Sequence, residues 1–392
     1  METTFLKSIL DNDLYKFTMQ HAVIKLYPKA KVRYAFINRG KHVFPDGFAE
    51  LLRKAVDAMA DLRLTKEEKS YLSHFCPYLD NTYLDFLQGY SYNPSEVHIE
   101  QEGSEIKVVI EGFWYRTILW EVPLMALISE LFYKANHLIR LNDDAIKSVT
   151  KTKIDNYNTL GVSILEFGTR RRHSYDVHAL INETLTKYGS QSFIGTSNVH
   201  FAMLNNKRPL GTHAHEWFMF HAGQYGFKMA NLISLENWTK VYGGDLGIAL
   251  TDTYTTEIFF NQFDKKYSKL FDGVRHDSGD PIEFAQKVIA HYTKMGIDPK
   301  SKAIVFSDSL NFEKVKLISD FCKDKIKMSF GIGTNFTNDV GLPAMNMVIK
   351  LTHTKPDNVH WQGVVKLSDE KNKNTGTPEM IALAKQVLGI KS

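Results

Sequence analysis

The stretch GVSILEFGTRRR, residues 161–172, shows the pattern from which the fold is predicted. A short apolar run at 162–167 leads into a glycine and a basic segment, and a helical pattern follows. The same unit recurs along the chain, with apolar runs at 192–195, 246–250, 303–306, 327–332 and 347–351 and similar behaviour at 211–216 and 274–277. Short strands that alternate with helices favour βα units and parallel pairing. About seven or eight such units predict an α/β fold with a (β/α)8-like barrel, whose site lies at the carboxyl ends of the strands.

The first 145 or so residues have a different pattern. Segments 11–26, 48–62 and 65–75 look helical, and Thr65 with Glu68 forms a capping box at the start of the third. Segments 97–101 and 106–110 are typical of a hairpin. We therefore predict a smaller α/β domain at 1–145 and a barrel at 146–345.

The residues after the barrel contain two more strand-like runs, at 347–351 and 363–367. They can complete the barrel or return to the first domain, and the sequence leaves both possibilities open. We assign 346–392 to the first domain. Segment 369–377 is rich in Lys, Asn and Gly, and we expect a mobile loop there.

Composition excludes several classes of protein. The chain has 392 residues, and Lys+Arg minus Asp+Glu is 48 − 44 = +4, which does not indicate bulk nucleic-acid binding but suits an anionic small substrate. Cys76 and Cys322 are its two cysteines, so a disulfide framework or a cysteine zinc site is not expected. The longest apolar stretch, 117–132, carries Glu121 and Glu130, which predicts a core helix rather than a membrane span. We expect no membrane association and a cytoplasmic location.

The segment GTHAHEW, residues 211–217, places two histidines two residues apart. At a strand end, His213 and His215 would share one face and Glu216 would point to the other. An imidazole there can be a metal ligand, a general base or a phosphate acceptor. The alternative is a pair of buried histidines without chemistry.

Other predicted strand ends carry charged or small residues. Arg170, Arg171 and Arg172 repel one another unless anions lie among them, which favours a phosphate or diphosphate ligand over a solvated basic loop. The segment RHDSGDP, 275–281, suits sugar hydroxyls or hydrated Mg²⁺, and Arg275 can hold a carboxylate. Its Ser278 and Asp280 alternatively just cap the next helix. The glycines of SFGIGTN, 329–335, allow a phosphate to approach the backbone, and further carboxylates follow at Asp308 and Asp252.

Nine segments together resemble the nicotinate phosphoribosyltransferases of bacteria and yeast. They are DNDLYKFTM (11–19), EFGTRRRHS (166–174), GTSN (195–198), GTHAHEW (211–217), GIALTD (247–252), RHDSGDP (275–281), VFSDSL (305–310), SFGIGT (329–334) and KLSD (366–369). The resemblance implies an irregular α/β barrel with a smaller domain built from both chain ends, and a homodimer with shared sites. It implies that nicotinate and phosphoribosyl pyrophosphate give nicotinate mononucleotide and pyrophosphate, with Mg²⁺ and coupled ATP hydrolysis, as the first step of NAD salvage from nicotinate.

The resemblance also implies a role for individual residues. His215 becomes transiently phosphorylated by ATP with Asp252 beside it, whereas His213 receives no role. The pyridine ring lies between Phe167 and the partner subunit's Tyr15, with Arg275 at its substituent. The implied contacts of phosphoribosyl pyrophosphate are Arg170, Arg171 and the partner subunit's Arg39 at the diphosphate, Asp277 and Asp308 at the ribose, and Gly331, Gly333 and Thr334 at the 5-phosphate. Mg²⁺ is expected to bind through phosphates and water rather than through a dedicated set of ligands.

Ser197 bears on the choice of substrate. Nicotinamide-using relatives carry an aspartate at this position, and a hydroxyl there removes repulsion against a substrate carboxylate, which favours nicotinate. Use of nicotinamide or quinolinate stays open. Two other classes are also weighed: a metal-dependent hydrolase that uses His213 and His215 as an H-x-H zinc pair, and a non-catalytic binding or scaffold protein.

Overall fold

A computed structural model describes residues 5–356, 360–370 and 373–390, and its strands form two sheets. The strands of the first sheet are β1 (Lys31–Ile37), β2 (Val97–Glu102), β3 (Glu105–Phe113), β10 (Val348–Lys355) and β11 (Gln362–Gly363). The strands of the second are β4 (Ser163–Glu166), β5 (Phe193–Thr196), β6 (Ile248–Leu250), β7 (Gly273–His276), β8 (Ala303–Phe306) and β9 (Lys327–Ile332). The first sheet has the order β11-β10-β1-β3-β2 and is antiparallel, whereas the second has the order β5-β4-β9-β8-β7-β6 and is parallel.

Helices connect and cover these sheets. Those before the parallel sheet are α1 (Leu14–Leu26), α2 (Phe48–Ala58), α3 (Lys66–Phe75), α4 (Asn81–Gly89), α5 (Trp114–Thr117), α6 (Glu121–Ala135) and α7 (Asp143–Leu160). Those that follow are α8 (Tyr175–Tyr188), α9 (Val199–Leu204), α10 (His215–Tyr225), α11 (Ala230–Tyr242), α12 (Thr256–Gln262), α13 (Lys265–Leu270), α14 (Pro281–Lys294), α15 (Phe312–Cys322), α16 (Thr334–Thr337) and α17 (Pro378–Leu388). Short 3-10 helices lie at Met59–Asp61, Pro94–Glu96, Thr169–Arg171 and Pro299–Ser301.

The parallel sheet confirms the predicted α/β class, but it has six strands within the described residues rather than seven or eight. Two of the predicted units lie outside the parallel sheet. The run at 347–351 belongs to β10 in the antiparallel sheet, and 211–216 forms no strand. The helix α10 begins at His215 instead, so His213 and His215 do not share the face of a strand.

An irregular segment spans the two edge strands of the parallel sheet. Leu210 donates its backbone N–H to Thr196 O of β5 at 3.0 Å, and Thr212 donates its hydroxyl to Ile248 O of β6 at 2.8 Å. Between them Gly211 has φ = +138°, a conformation that residues with a side chain rarely adopt. The segment stands where a further strand would lie and joins each edge strand through one hydrogen bond. The six strands and this segment therefore make a barrel that is irregular at this point.

The antiparallel sheet settles the path of the chain's end. β10 pairs with β1 from Lys31↔Lys355 to Ile37↔Val348, so the residues after the barrel return to the N-terminal part. The hairpin of β2 and β3 and the capping box of Thr65 and Glu68 are both confirmed. The small domain is thus built from both chain ends.

The predicted core helix corresponds to α6, and nearly all its residues are buried. It packs against α2, β10 and the 3-10 helix Thr169–Arg171, and so it joins the two sheets. None of the described helices combines the length and apolar character needed to cross a membrane.

Candidate active site

A cavity of about 950 Å³ lies at the carboxyl ends of the parallel strands. Because these ends meet at one edge of the sheet, residues far apart in the chain come together there. The N-terminal part closes the other side. The predicted site residues that line the cavity are Tyr15, Arg39, Phe167, Arg170, Arg171, Ser197, His215, Arg275, Asp277, Asp308, Gly331, Gly333 and Thr334. Asp252, the other predicted site residue, lies directly behind His215.

Tyr15 and Arg39 reach this cavity in their own chain. Tyr15 lies in the first turn of α1, and Arg39 follows β1. The resemblance implies that the partner subunit's Tyr15 and Arg39 complete the site, and this stays a prediction. In their own chain both residues reach the cavity because β1 pairs with β10 and so carries the N-terminal part over the strand ends.

His215 is the first residue of α10 and is held through both ring nitrogens. Nδ1 lies 2.9 Å from Thr253 Oγ1, and Nε2 lies 3.0 Å from Asp277 Oδ2 and 3.7 Å from Asp252 Oδ1. Burial and the nearby Lys366 ammonium lower the pKa of His215 to about 4, although the two carboxylates oppose this shift. The imidazole is therefore neutral at pH 7, the form in which a ring nitrogen can act as a nucleophile.

The two carboxylates beside His215 differ in their partners. Asp252 Oδ2 accepts from Ser278 Oγ at 2.6 Å and lies 3.2 Å from Lys366 Nζ. Its buried Oδ1 has no hydrogen-bond partner among the described residues. Burial opposes ionisation of Asp277, but Arg275, His215 and Lys366 outweigh it and hold its pKa well below the usual range. Both carboxylates are thus anionic at neutral pH.

Arg275 occupies the cavity wall with part of its guanidinium engaged. Nε donates to Ser307 Oγ at 2.8 Å, and Nη2 donates to Asp277 Oδ1 at 2.8 Å. Its Nη1 has no partner within the described part of the chain, so it can donate to a ligand. Arg275 therefore fits the predicted contact with a carboxylate.

The structure separates the three adjacent arginines. Arg170 and Arg171 line the cavity, whereas Arg172 is buried behind it and makes a bidentate ion pair with Asp11 at 2.7 and 2.8 Å. Burial and the neighbouring Arg170 and Arg39 lower the pKa of Arg171 to about 10, against the Asp277 and Asp308 carboxylates. These three cavity cations repel one another, so an anion among them is stabilising. Arg172, in contrast, is neutralised by Asp11 of the same chain.

Gly331 has a steric role beside the predicted phosphate contact. A Cβ at this position would collide with the ring of Phe167, so the glycine makes room for an aromatic wall of the cavity. At Gly333 a Cβ would meet only an ordinary contact, with Phe167 O at 3.7 Å. Gly333, Thr334 and Asn335 line the cavity where the short helix α16 begins. The predicted phosphate contact thus fits Gly333 and Thr334 better than Gly331.

Ser197 does not leave its surroundings free of carboxylates. Its hydroxyl donates to Asp13 Oδ1 at 2.8 Å, and Asp13 also lines the cavity. Burial raises the pKa of Asp13, although Arg170 opposes this. The argument from Ser197 for an acidic substrate is therefore incomplete, because Asp13 occupies the region that the serine was expected to leave uncharged.

The sequence analysis missed three lysines at the cavity: Lys350, Lys366 and Lys373. Lys366 begins the matching segment KLSD and was given no role. Lys373 donates to Asp308 Oδ1 at 2.8 Å from the expected loop 369–377, of which residues 371–372 lie outside the described part. Burial, with Arg170 and Lys366, lowers the pKa of Lys350 to about 7, against Glu121 and Asp277. Only the pairing of β10 with β1 shows that Lys350 faces the cavity.

His213 does not join a metal site with His215. Its ring packs edge-on against Phe218 and Trp238, with centroids 5.2 and 4.8 Å away, and both its nitrogens are buried without a partner in the described chain. The group of possible metal ligands found among the described residues is His215, Asp252 and Asp277. The H-x-H zinc pair expected of a hydrolase is therefore not formed.

Comparison with known proteins agrees with this arrangement. A family model described as the nicotinate phosphoribosyltransferase family matches residues 162–392, and a model of the N-terminal domain of that family matches residues 10–129. A nicotinate phosphoribosyltransferase of Chromohalobacter salexigens is 61% identical over 385 residues, which cover 98% of this chain and 99% of that protein. One from Desulforapulum autotrophicum is 49% identical with the same coverage.

Solved structures agree as well. The crystal structure of the nicotinate phosphoribosyltransferase from Porphyromonas gingivalis superposes with a TM-score of 0.96 at 44% identity, covering 98% of this chain and 100% of that one. The corresponding structure from Vibrio cholerae gives 0.93 at 33% identity, covering 99% and 95%. Matches of this length and identity show that the chain belongs to the nicotinate phosphoribosyltransferase family.

Proposed function

We propose that this protein is an ATP-coupled nicotinate phosphoribosyltransferase. It condenses nicotinate with 5-phosphoribosyl 1-pyrophosphate to nicotinate mononucleotide and pyrophosphate, and His215 carries the phosphoryl group of ATP. One observation carries the proposal: a neutral, buried histidine between two carboxylates opens on the same cavity as Arg39, Arg170 and Arg171. A phosphoryl acceptor and an anion site thus share one space.

Glycosyl transfer needs little chemistry from the protein. The pyridine nitrogen of nicotinate attacks the anomeric carbon, the bond to the diphosphate oxygen breaks, and the diphosphate leaves with both bonding electrons. The nitrogen is unprotonated near pH 7, so no general base is required. The cavity has to hold nicotinate against Phe167 and Tyr15, and its arginines have to stabilise the leaving diphosphate.

Phosphoryl transfer to His215 uses the contacts of its ring. Nε2 lies 3.0 Å from the anionic Asp277 Oδ2, so in this structure it carries the ring proton and donates to that oxygen, while Nδ1 accepts from the Thr253 hydroxyl. In the acceptor tautomer Nδ1–H donates to Thr253 Oγ1, and the Nε2 lone pair becomes free for phosphorus when its contact with Asp277 opens. Nε2 bonds to the γ-phosphorus of ATP while the bond to the bridging oxygen breaks and ADP leaves. Water later hydrolyses the phosphohistidine to inorganic phosphate. The anionic phosphohistidine next to the arginines offers a physical route by which ATP hydrolysis drives the condensation.

The residues of the site fit Mg²⁺. Asp252 and Asp277 supply oxygen ligands, and the buried Oδ1 of Asp252 has no hydrogen-bond partner in the described chain. A bound Mg²⁺ would neutralise phosphate charge there, with water and substrate oxygens as its remaining ligands. His215 then keeps Nε2 for phosphoryl transfer.

Selection of the acid rests on Arg275. Its free Nη1 can donate to the carboxylate of nicotinate, whereas an amide would leave this charge uncompensated. Asp13 lies next to Ser197. An ionised Asp13 would accept a hydrogen bond from the amide of nicotinamide but repel the carboxylate of nicotinate, whereas a protonated Asp13 would not repel it. Nicotinamide is therefore the competing substrate that has to be tested.

The proposed reaction is the first step of NAD salvage from nicotinate. Homodimerisation stays a prediction of the resemblance. The sharing of Tyr15 and Arg39 between subunits stays a prediction with it, and both residues also line the cavity of their own chain.

The decisive experiment supplies phosphoribosyl pyrophosphate with nicotinate, nicotinamide or quinolinate in turn, with and without ATP and Mg²⁺, and measures product mass. We expect nicotinate mononucleotide from nicotinate, formed faster with ATP, and no product from the other two substrates. Product from nicotinamide at a comparable rate would contradict the assigned substrate. A rate from nicotinate that ATP leaves unchanged would contradict the coupling but not the transfer.

A further inference from the structure

Glu216, the residue after His215, belongs to a buried series of alternating charges. Its Oε2 accepts from Lys16 Nζ, and Lys16 also pairs with Glu121 Oε2 at 2.5 Å. Glu121 Oε1 in turn lies 3.7 Å from Nη1 of Arg170 in the cavity wall. We call Arg170, Glu121, Lys16 and Glu216 the ion chain. It runs from the diphosphate side of the cavity to the start of the helix that carries His215.

The other oxygen of Glu216 is also fully engaged. Oε1 accepts from Tyr34 OH at 2.8 Å and from Trp114 Nε1 at 2.8 Å. Tyr34 lies on β1, Trp114 on α5 and Lys16 on α1, so three elements of the N-terminal part converge on one carboxylate of the barrel. All four residues are buried. The first turn of α10 cannot shift without breaking several bonds to a buried charge.

The charges of the ion chain are retained in the folded protein. Burial disfavours the charged form of Lys16, but Glu121 and Glu216 outweigh it and raise the pKa of the ammonium. Burial likewise opposes ionisation of Glu121, and Lys16, Arg170 and Lys350 outweigh it and lower its pKa. Two cations and two anions therefore balance inside the protein.

We propose that Glu216 is a positioning residue for His215, because the ion chain fixes the start of α10 relative to Arg170. This inference rests on the proposed phosphorylation of His215. Apolar residues of similar volume often stabilise a protein as well as a buried ion pair does, so stability alone does not explain three buried charges joined to a half-buried guanidinium. Their placement between a phosphoryl acceptor and an anion-binding guanidinium explains them, because a displacement of about 1 Å can slow a reaction by about a hundredfold.

The test compares the rate at which His215 acquires label from γ-labelled ATP. Glu216→Gln keeps a carbonyl oxygen for Tyr34 and Trp114 but turns an amide N–H toward Lys16, so it breaks the ion chain with little change in volume. We expect the labelling rate to fall about tenfold to a hundredfold. Tyr34→Phe removes one donor to Glu216 and should slow labelling in the same direction by a smaller factor.

Glu96→Gln is the matched control. Glu96 is buried and accepts from Arg116 Nε at 2.7 Å and from Trp120 Nε1 at 3.0 Å, but it does not line the cavity. This variant also breaks a buried pair between a glutamate and a cation beside a tryptophan. We expect it to lose as much thermal stability as Glu216→Gln while its labelling rate stays at the wild-type value.

Each outcome separates the inference from the function on which it rests. Absence of label on the wild-type protein would contradict the proposed phosphorylation and therefore also the inference. A labelled wild type with undiminished labelling in Glu216→Gln would overturn the inference alone. Equal slowing in Glu96→Gln would also overturn it, because lost stability would then explain the effect. If Glu216→Gln does not fold, an unchanged labelling rate in Tyr34→Phe would overturn the inference.

Discussion

The wall of the cavity and the layer directly behind it contain the same residue types with different partners. His215 and Arg171 face the cavity, whereas His213 and Arg172, each within two residues of them, are buried behind it. Asp11 neutralises Arg172 in a bidentate pair, and aromatic rings surround His213. Arg171 has the cations Arg170 and Arg39 near it on the cavity side, and the carboxylates of Asp277 and Asp308 oppose their repulsion.

This difference teaches that available partners, more than residue type, decide which side chains serve function. A buried cation that is paired within its own chain has no charge left for a ligand, and it contributes to the fold. A cation held among cations is stabilised when an anion binds. The clearest cases are the pairs His213 and His215 and Arg171 and Arg172, in which neighbouring residues lie in different layers.

The largest expected difference is between the two histidines. His215→Asn should abolish the acceleration of nicotinate mononucleotide formation by ATP, because the variant lacks the nitrogen that accepts the phosphoryl group. His213→Asn should keep the acceleration, with lower thermal stability. The rate with and without ATP in each folded variant checks this. Loss of the acceleration only in His213→Asn would reverse the assignment.

The two arginines should differ next most. Arg172→Met leaves the Asp11 carboxylate buried without its cation, which should cost about 3–5 kcal/mol of unfolding free energy. Arg171→Met removes a cation from among cations, so stability should change by only about 0.5 kcal/mol. The KM for phosphoribosyl pyrophosphate should rise instead by about tenfold or more, since a charge-assisted hydrogen bond is lost. Urea unfolding and initial rates measure both effects, and equal losses of stability would contradict the division into two layers.

Arg275 sharpens the comparison because it combines both behaviours, with Nη2 on Asp277 and Nη1 free of partners in the described chain. Arg275→Ala should raise the KM for nicotinate by the loss of about 1.5–3 kcal/mol, roughly tenfold to 150-fold. The KM for phosphoribosyl pyrophosphate in the same variant is the control and should change less. A wild type that uses nicotinamide as readily as nicotinate would show that Arg275 does not select the acid.

Part of this division could be predicted from the sequence. The runs 303–306 and 327–332 coincide with β8 and β9, because short apolar runs in βα units have clear polar ends. The cluster of site residues followed from the rule that strand ends meet. The sequence could not predict that Arg171 faces the cavity while Arg172 is buried, because the ion pair of Asp11 and Arg172 joins residues 161 positions apart. A local pattern contains no information about such a partner.

The segment 211–216 shows a second limit of the sequence. Alternation of histidines favoured a strand end, but the backbone at Gly211 and the helical start at His215 give a different structure. A similar limit applies to β10, whose return to β1 was left open. Only that pairing shows that Tyr15 and Arg39 also lie over the cavity of their own chain.

The smallest expected effect concerns pH. Burial, with Arg275 and His215, lowers the pKa of His213 from 6.5 to about 3, so the ring stays neutral in the folded protein. The stability that this provides is complete above about pH 6.5 and is lost as the pH falls toward 3, since the unfolded chain then binds a proton that the folded one does not. His213→Phe should reduce the slope of unfolding free energy against pH by up to about 1.4 kcal/mol per unit in this range. The exposed His98→Gln is the control, and an unchanged slope in His213→Phe would show that His213 is not buried as a neutral ring.

The most direct test of the account is to locate the phosphate. The protein is incubated with γ-labelled ATP and Mg²⁺, digested at alkaline pH, and its peptides are sequenced by mass spectrometry under conditions that preserve phosphohistidine. We expect acid-labile, base-stable phosphate on His215 and none on His213. Phosphate on His213, or no phosphorylated histidine under conditions in which ATP accelerates product formation, would contradict the central claim that the cavity-facing histidine couples ATP hydrolysis to phosphoribosyl transfer.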